Sequence, residues 1–189
     1  LSAEEAAEYY TDDWSETTVK TNVAQNKAAG GTSYKSGDAV DNAERRINVA
    51  FKAFDGDAFT EKEDTTAKPD TSTSEMNSFW KGYHADSSLC VDLGETRTVS
   101  EVEIQWRYGG KGKDFNILVS DDGENWTTAK EVRGNGDFFN TVSLDEPTEA
   151  RYVKMQGIAS NASAGIYMIQ EFKVYETVDK TQLNTLLKQ

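Results

Sequence analysis

The sequence predicts an all-β domain, an antiparallel β-sandwich, on three observations. Short runs of alternating apolar and polar residues recur from residue 89 to residue 175. Turn-forming clusters separate them at regular intervals, and helical periodicity is confined to the two ends of the chain. At 189 residues the chain can bury one sandwich core and is short for two ordinary domains.

Residues 1–17 place Ser2 and Glu5 at capping-box spacing ahead of Ala6, Ala7, Tyr9 and Tyr10, which predicts an N-terminal linker or accessory helix. Val19 to Tyr34 is polar and broken by Gly30-Gly31, as expected of loops between short strands. Residues 61–78 carry almost no apolar side chain and read as an exposed loop insertion.

Seven strands are then expected: Leu89 to Leu93, Val99 to Tyr108, Phe115 to Val119, Trp126 to Val132, Asn140 to Leu144, Arg151 to Gly157 and Glu171 to Tyr175. Val102, Ile104 and Trp106 alternate with Glu101, Glu103 and Gln105, so one face meets a core and the other meets water. Ser120-Asp121-Asp122-Gly123-Glu124-Asn125 would close a hairpin into Trp126, which with Trp106 is assigned to the core. The single cysteine, Cys90, lies in the run Leu89 to Leu93 and reads as a buried strand residue rather than a reactive thiol. From 178 to 189, Leu183, Leu186 and Leu187 stand at helical spacing and suggest the start of a helical linker or following module. The sandwich is therefore expected over 18–177.

Thirty-three acidic against twenty basic side chains give a formal charge of −13, which argues against nucleic acid and anionic lipid as partners. The same carboxylates are natural ligands for Ca²⁺, a hard cation that takes six to eight oxygens. With one His and one Cys there are few routes to a nucleophilic triad or a zinc site.

Taken in order, these segments resemble one family, the discoidin or coagulation-factor type C domains, and within it the family 32 carbohydrate-binding modules. Asn22 to Lys27 resembles the opening strand, Ala53-Phe54-Asp55-Gly56-Asp57 the calcium turn, and Val91-Asp92-Leu93-Gly94 the buried signature strand. Asn116 to Trp126, Ala150 to Lys154 and Gln170 to Tyr175 resemble the later strands.

The resemblance implies a jelly-roll, galactose-binding-domain-like sandwich with a structural calcium and a ligand rim of loops. Carried over, the calcium would be held by Asp55, main-chain oxygens near Phe54 and Asp57, Thr60, the Gln170 carbonyl and the Glu171 carboxylate. The family places a Trp two residues after the Thr ligand, whereas Trp80 stands twenty residues beyond Thr60, so Ser78 is the alternative counterpart.

A sugar site needs an aromatic platform and fixed hydrogen-bonding groups. The resemblance puts His84 and Arg107 at positions that contribute to galactose binding in relatives; the asparagine that often follows the arginine is missing here. Tyr83, Tyr108, Asn161 and one of the pair Phe138-Phe139, taken as Phe139, complete the candidate rim. The implied function is a non-catalytic module that targets a secreted or cell-surface bacterial glycoside hydrolase to galactose- or N-acetylhexosamine-containing host glycans. Its partners would be glycan and the linked catalytic and helical modules of the parent chain. The competing reading is adhesion to a protein at a cell surface.

Overall fold

A computed structural model of the chain describes residues 18–32, 50–60, 62–69, 78–163 and 165–179. The helix expected at residues 1–17 lies outside them, as does nearly all of the one expected from 178 onward. Eight strands form the domain: β1 (Thr18–Asn22), β2 (Ala28–Gly31), β3 (Trp80–Gly82), β4 (Ser88–Trp106), β5 (Gly112–Ser120), β6 (Thr127–Val132), β7 (Phe139–Ser160) and β8 (Tyr167–Asp179). Every pairing among them is antiparallel.

The register shows how these strands make two layers. The first part of β4, Ser88 to Asp92, pairs with Tyr152 to Gln156 of β7 and with β2, and β7 passes on to β5 and then β6. The last part of β4, Glu101 to Trp106, pairs with Phe139 to Ser143 of β7 and with β8, which carries β1 and β3. β4 and β7 thus run through both layers, and the register breaks between Asp92 and Arg97, where Gly94 adopts φ 87°. Two strands expected on either side of that turn are one continuous strand. The same holds for Asn140 to Leu144 and Arg151 to Gly157, both within β7.

Alternation decides what fills the space between the layers. Leu89, Val91, Leu93, Val102, Ile104, Trp106, Phe115, Ile117, Val153, Met155, Phe172 and Val174 are all fully buried in one cluster. At about 25 cal/mol per Å² of apolar surface, side chains such as these carry most of the folding free energy. Trp106 meets Phe115 edge-on with ring centroids 5.4 Å apart, and Phe54 meets Phe172 at 5.5 Å.

Three sequence readings need correction. The opening strand is not Asn22 to Lys27: β1 ends at Asn22, and the chain turns at Gln25-Asn26, with Asn26 at φ 59°. Trp126 is outside the core. It caps the Asp-Gly hairpin, its indole donating to the Gly123 carbonyl at 3.1 Å and the Lys154 ammonium lying 3.7 Å over its ring. Cys90 is half-buried rather than buried, because it occupies the outward phase of β4 opposite Lys154; the thiol's partial burial pushes it up to about 11.

Candidate functional site

Two groups of candidate residues lie side by side at one corner of the sandwich. The first is built on the turn at 53–57. Phe172 N donates to the Ala53 carbonyl (2.7 Å) and Asn26 N to the Phe54 carbonyl (2.7 Å), so the turn is clamped between β8 and the turn after β1. Asp55 Oδ1 accepts from Asp57 N at 3.0 Å, closing the loop on itself. Gly56 sits at φ +85°, a backbone conformation that residues with a side chain rarely adopt.

From the other side β8 delivers Gln170 and Glu171. Neighbouring strand residues ordinarily face opposite ways, yet Ile169, Gln170, Glu171 and Phe172 are all buried. The cause is a bulge: Gln105 pairs with Glu171 while Trp106 pairs with Ile169, leaving Gln170 as the extra residue. Gln170 Nε2 then donates to the Asp57 carbonyl at 2.5 Å, and its Oε1 accepts from Arg107 at 2.6 Å.

Glu171 is 1% exposed and its Oε2 is buried without a hydrogen-bond partner. Burial first, and then the nearby Asp55 charge, push its carboxyl up to about 8. An orphaned buried carboxylate oxygen is costly unless a cation or proton meets it. Ca²⁺ suits the donors present, two carboxylates (Asp55 and Glu171) with main-chain carbonyls of the 54–57 turn and of Gln170. Among the described residues no three His, Cys, Asp or Glu side chains gather at one point, so carbonyl oxygens would have to supply much of the coordination.

Thr60 is exposed and, among the described residues, does not hydrogen-bond to Asp55. Ser78 does, its hydroxyl donating to Asp55 Oδ2. Ser78 stands two residues before the fully buried Trp80.

Arg107 belongs to this corner by its contacts. Its guanidinium lies 4.3 Å from the Phe79 ring centroid and 5.7 Å from that of Phe59, and donates to Gln170. Burial lowers its pKa, and the Asp57 charge opposes that shift. Expected as a sugar ligand, Arg107 is held where it braces Gln170.

The second group is the rim next to it, made by loops 62–69, 83–87, 107–112, 133–138 and 160–166. They are tied to one another mainly through the backbone. Met168 N donates to the Gly110 carbonyl (2.8 Å), Asn161 N to the Lys111 carbonyl (2.9 Å), and Phe138 N to the Thr65 carbonyl (2.7 Å). Gly110 has no room for a side chain, since a Cβ would stand 2.6 Å from Met168 N.

Asn161 adds a side-chain bond to the Asn135 carbonyl at 3.4 Å. Tyr167 Oη donates to the Ala85 carbonyl at 2.7 Å, bringing the turn after Tyr83 and His84 against the loop containing Asn161. Tyr108, 61% exposed, is the most exposed large apolar side chain described, with the Lys68 ammonium 4.1 Å from its ring centroid. Tyr83 carries Lys81 in the same way at 4.8 Å.

The pair Phe138-Phe139 divides as strand geometry requires. Phe138 is 7% exposed beneath the Lys111 ammonium, and Phe139 faces a cleft on the outer sheet face shared with Lys62, Thr65, Glu103, Gln105 and Thr141. Four of the expected sugar residues, Tyr83, His84, Tyr108 and Asn161, therefore come to one rim. Phe139 turns to the neighbouring cleft and Arg107 to the corner. Nothing in the sequence marks which loop lysine will lie on an aromatic face, as Lys68 and Lys111 do.

A profile of the F5/8 type C domain matches residues 32–172. The chain belongs to the F5/8 type C, or discoidin, family. Solved structures agree on the fold of this type C domain. A family 32 carbohydrate-binding module from Clostridium perfringens NanJ, solved with galactose, is 24% identical with a TM-score of 0.58, covering 84% of this chain and all of that one (100%). Chitosan-binding module 1 of a Paenibacillus sp. IK-5 chitosanase/glucanase is 24% identical with a TM-score of 0.58, over 82% of this chain and 98% of that one. A Streptococcus pneumoniae fucose-binding module is 18% identical with a TM-score of 0.58, over 83% and 96%. No curated protein sequence matches the chain.

Proposed function

We propose that this type C domain is a non-catalytic carbohydrate-binding module, with its sugar site on the rim around Tyr108 and a structural calcium at the neighbouring corner. The observation that carries the reading is Tyr108: a large ring, 61% exposed, standing among loops whose backbones are mutually hydrogen-bonded. Such a ring offers the C–H face of a pyranose an apolar platform, and His84, Asn161 and Tyr83, on loops of the same rim, are the polar groups proposed for the hydroxyls. The solved structures of similar fold that bind galactose, chitosan and fucose support the same class of ligand. The ligand proposed is a galactose- or N-acetylhexosamine-containing glycan.

A shallow platform of this kind binds weakly, with Kd on the order of 0.1–1 mM, and gains by avidity beside other modules. Its role would be to hold a linked glycoside hydrolase near its substrate, outside the cell or at its surface. When bound, calcium supplies charge that satisfies Glu171 and Asp55 and fixes the 53–57 turn against β8. Gln170 and Arg107 position that turn from within the fold and leave sugar contact to the rim.

The test is a mammalian glycan array with calcium present, with Tyr108→Ala and His84→Ala variants in parallel. Binding to terminal galactose or N-acetylhexosamine that both variants lose supports the reading. A blank array from a folded, calcium-loaded protein overturns it and leaves protein adhesion as the function to pursue.

A further inference from the structure

Many of the surface cations sit on carboxylates, among them Lys20 on Glu101 (2.9 Å), Arg151 on Asp92 (2.8 Å) and Lys173 on Glu103 (3.0 Å), while Lys154, away from the rim, lies over the Trp126 ring. At the rim, Lys62, Lys68, Lys81, Lys111 and Lys113 have no carboxylate within salt-bridge distance among the described residues, on a chain of formal charge −13.

Aromatic faces and carbonyls hold four of them instead. Lys68 lies over Tyr108, Lys81 over Tyr83 and Lys111 over Phe138, Lys111 also donating to the Gly136 carbonyl. Lys62 donates to the Lys68 carbonyl at 2.6 Å. The acids nearby are engaged in shaping loops: Asp137 accepts from the Thr65 hydroxyl (2.9 Å), Asp114 from Gly134 N (2.7 Å) and Asp64 from Thr66 N (3.0 Å).

Cation–π contacts orient an ammonium without cancelling its charge, and each is worth about 0.5–1 kcal/mol at an exposed site. Charge is screened over roughly 8 Å at physiological salt, so a ligand on the rim feels the charges of these loops, the lysines and the carboxylates of Asp64 and Asp137 alike, more than those of the other faces, and Lys68 and Lys111 are the ammonium groups nearest the rim's aromatic rings. A neutral sugar needs no such set of unneutralised ammonium groups, whereas an anionic one pairs with them in charge-assisted hydrogen bonds.

We infer that the saccharide bound at this rim carries an anionic substituent, a carboxylate or a sulfate ester, which Lys68 and Lys111 meet while the ring stacks on Tyr108. This rests on the glycan reading above and specifies its ligand class.

The test uses the whole chain with calcium held constant and matched oligosaccharides: a neutral galactosyl chain, its sialylated and sulfated forms, and an oligouronate. Affinities are measured by titration at 20 mM and 300 mM NaCl. Expected are binding of an acidic member at least tenfold tighter than the neutral chain, weakening with salt, and a threefold to tenfold loss in each of Lys68→Gln and Lys111→Gln. Whether the carboxylated or the sulfated member binds tighter identifies the anion.

Equal, salt-insensitive binding of neutral and acidic members, lost in Tyr108→Ala, overturns this inference and leaves the glycan reading standing. Equal binding of a single-stranded oligonucleotide also overturns it, since the rim would then be a general polyanion surface. No binding of any saccharide by the folded protein overturns both.

Discussion

The corner at Asp55 and the rim at Tyr108 are neighbours built by opposite means. In the corner, residues from positions 55, 78, 107, 170 and 171 converge through side chains, two of them fully or nearly fully buried. On the rim, backbone amides and carbonyls tie the loops together, and Tyr108 and Asn161 are exposed. Burial makes Gln170 and Glu171 depend on partners, because an unpartnered buried polar group costs about 1–3 kcal/mol or more. The rim side chains are free of that constraint, so their identities can follow the ligand. Loss of a corner residue should therefore register as stability, and loss of a rim residue as affinity.

The largest expected effect is calcium removal. Calcium at about a thousandfold above its Kd stabilises by roughly 4 kcal/mol, and chelation should then lower Tm by about 10 °C in a thermal melt. Glu171→Gln should abolish that calcium response while melting no lower than the calcium-free parent, since it removes a buried orphan carboxylate oxygen. A parent melt that chelator leaves unmoved, on protein shown by elemental analysis to have carried calcium, breaks the corner half of the comparison.

Arg107→Ala comes next. It strips Gln170 of its donor and uncovers Phe79, costing about 2 kcal/mol and lowering Tm by several degrees, with a smaller effect on sugar affinity. If glycan titration shows the reverse, with binding lost and Tm unchanged, Arg107 belongs to the rim.

Tyr108→Ala should weaken glycan binding about tenfold, equivalent to roughly 1.4 kcal/mol, and leave Tm within a degree of the parent. A charge pair away from both regions calibrates the scale. Asp92 forms a two-point pair with Arg151 at 2.8 and 2.9 Å, and that hydrogen bonding holds its carboxyl below the usual range. A depressed folded pKa adds stability above the unfolded value, near pH 4, and that stability is lost as pH falls through the folded value. Asp92→Asn should cost about 1 kcal/mol at pH 7, with the gap to the parent narrowing in melts below pH 4.

What the sequence made legible follows the same division. Alternation of Val102, Ile104 and Trp106 announced a half-buried strand because period two has one physical cause. The Asp55-Gly56 turn was readable because few residues tolerate positive φ there. β3 was missed, since three residues, one of them glycine, carry no periodicity. Trp126 was misassigned because the phase of a strand at its hairpin end depends on the turn, which here puts the indole outside under Lys154.

Thr60 against Ser78 stayed open for a topological reason. An insertion changes spacing in sequence without changing spacing in space, and only the folded chain shows Ser78 back beside Asp55. The direction taken by Arg107 was likewise invisible, because it is set by the β8 bulge that frees the Gln170 side chain. Hydrogen bonds between residues 63 positions apart leave no local signature.

β4 and β7, 19 and 22 residues long, each belong to both layers. Separating one layer strips hydrogen-bonding partners from the other, so neither can open alone. Amide protons in the two layers should exchange with solvent only through the same global event, and the slowest-exchanging sites should show one common free energy. The sandwich should open as a single piece, with the corner and the rim mounted on one shared frame.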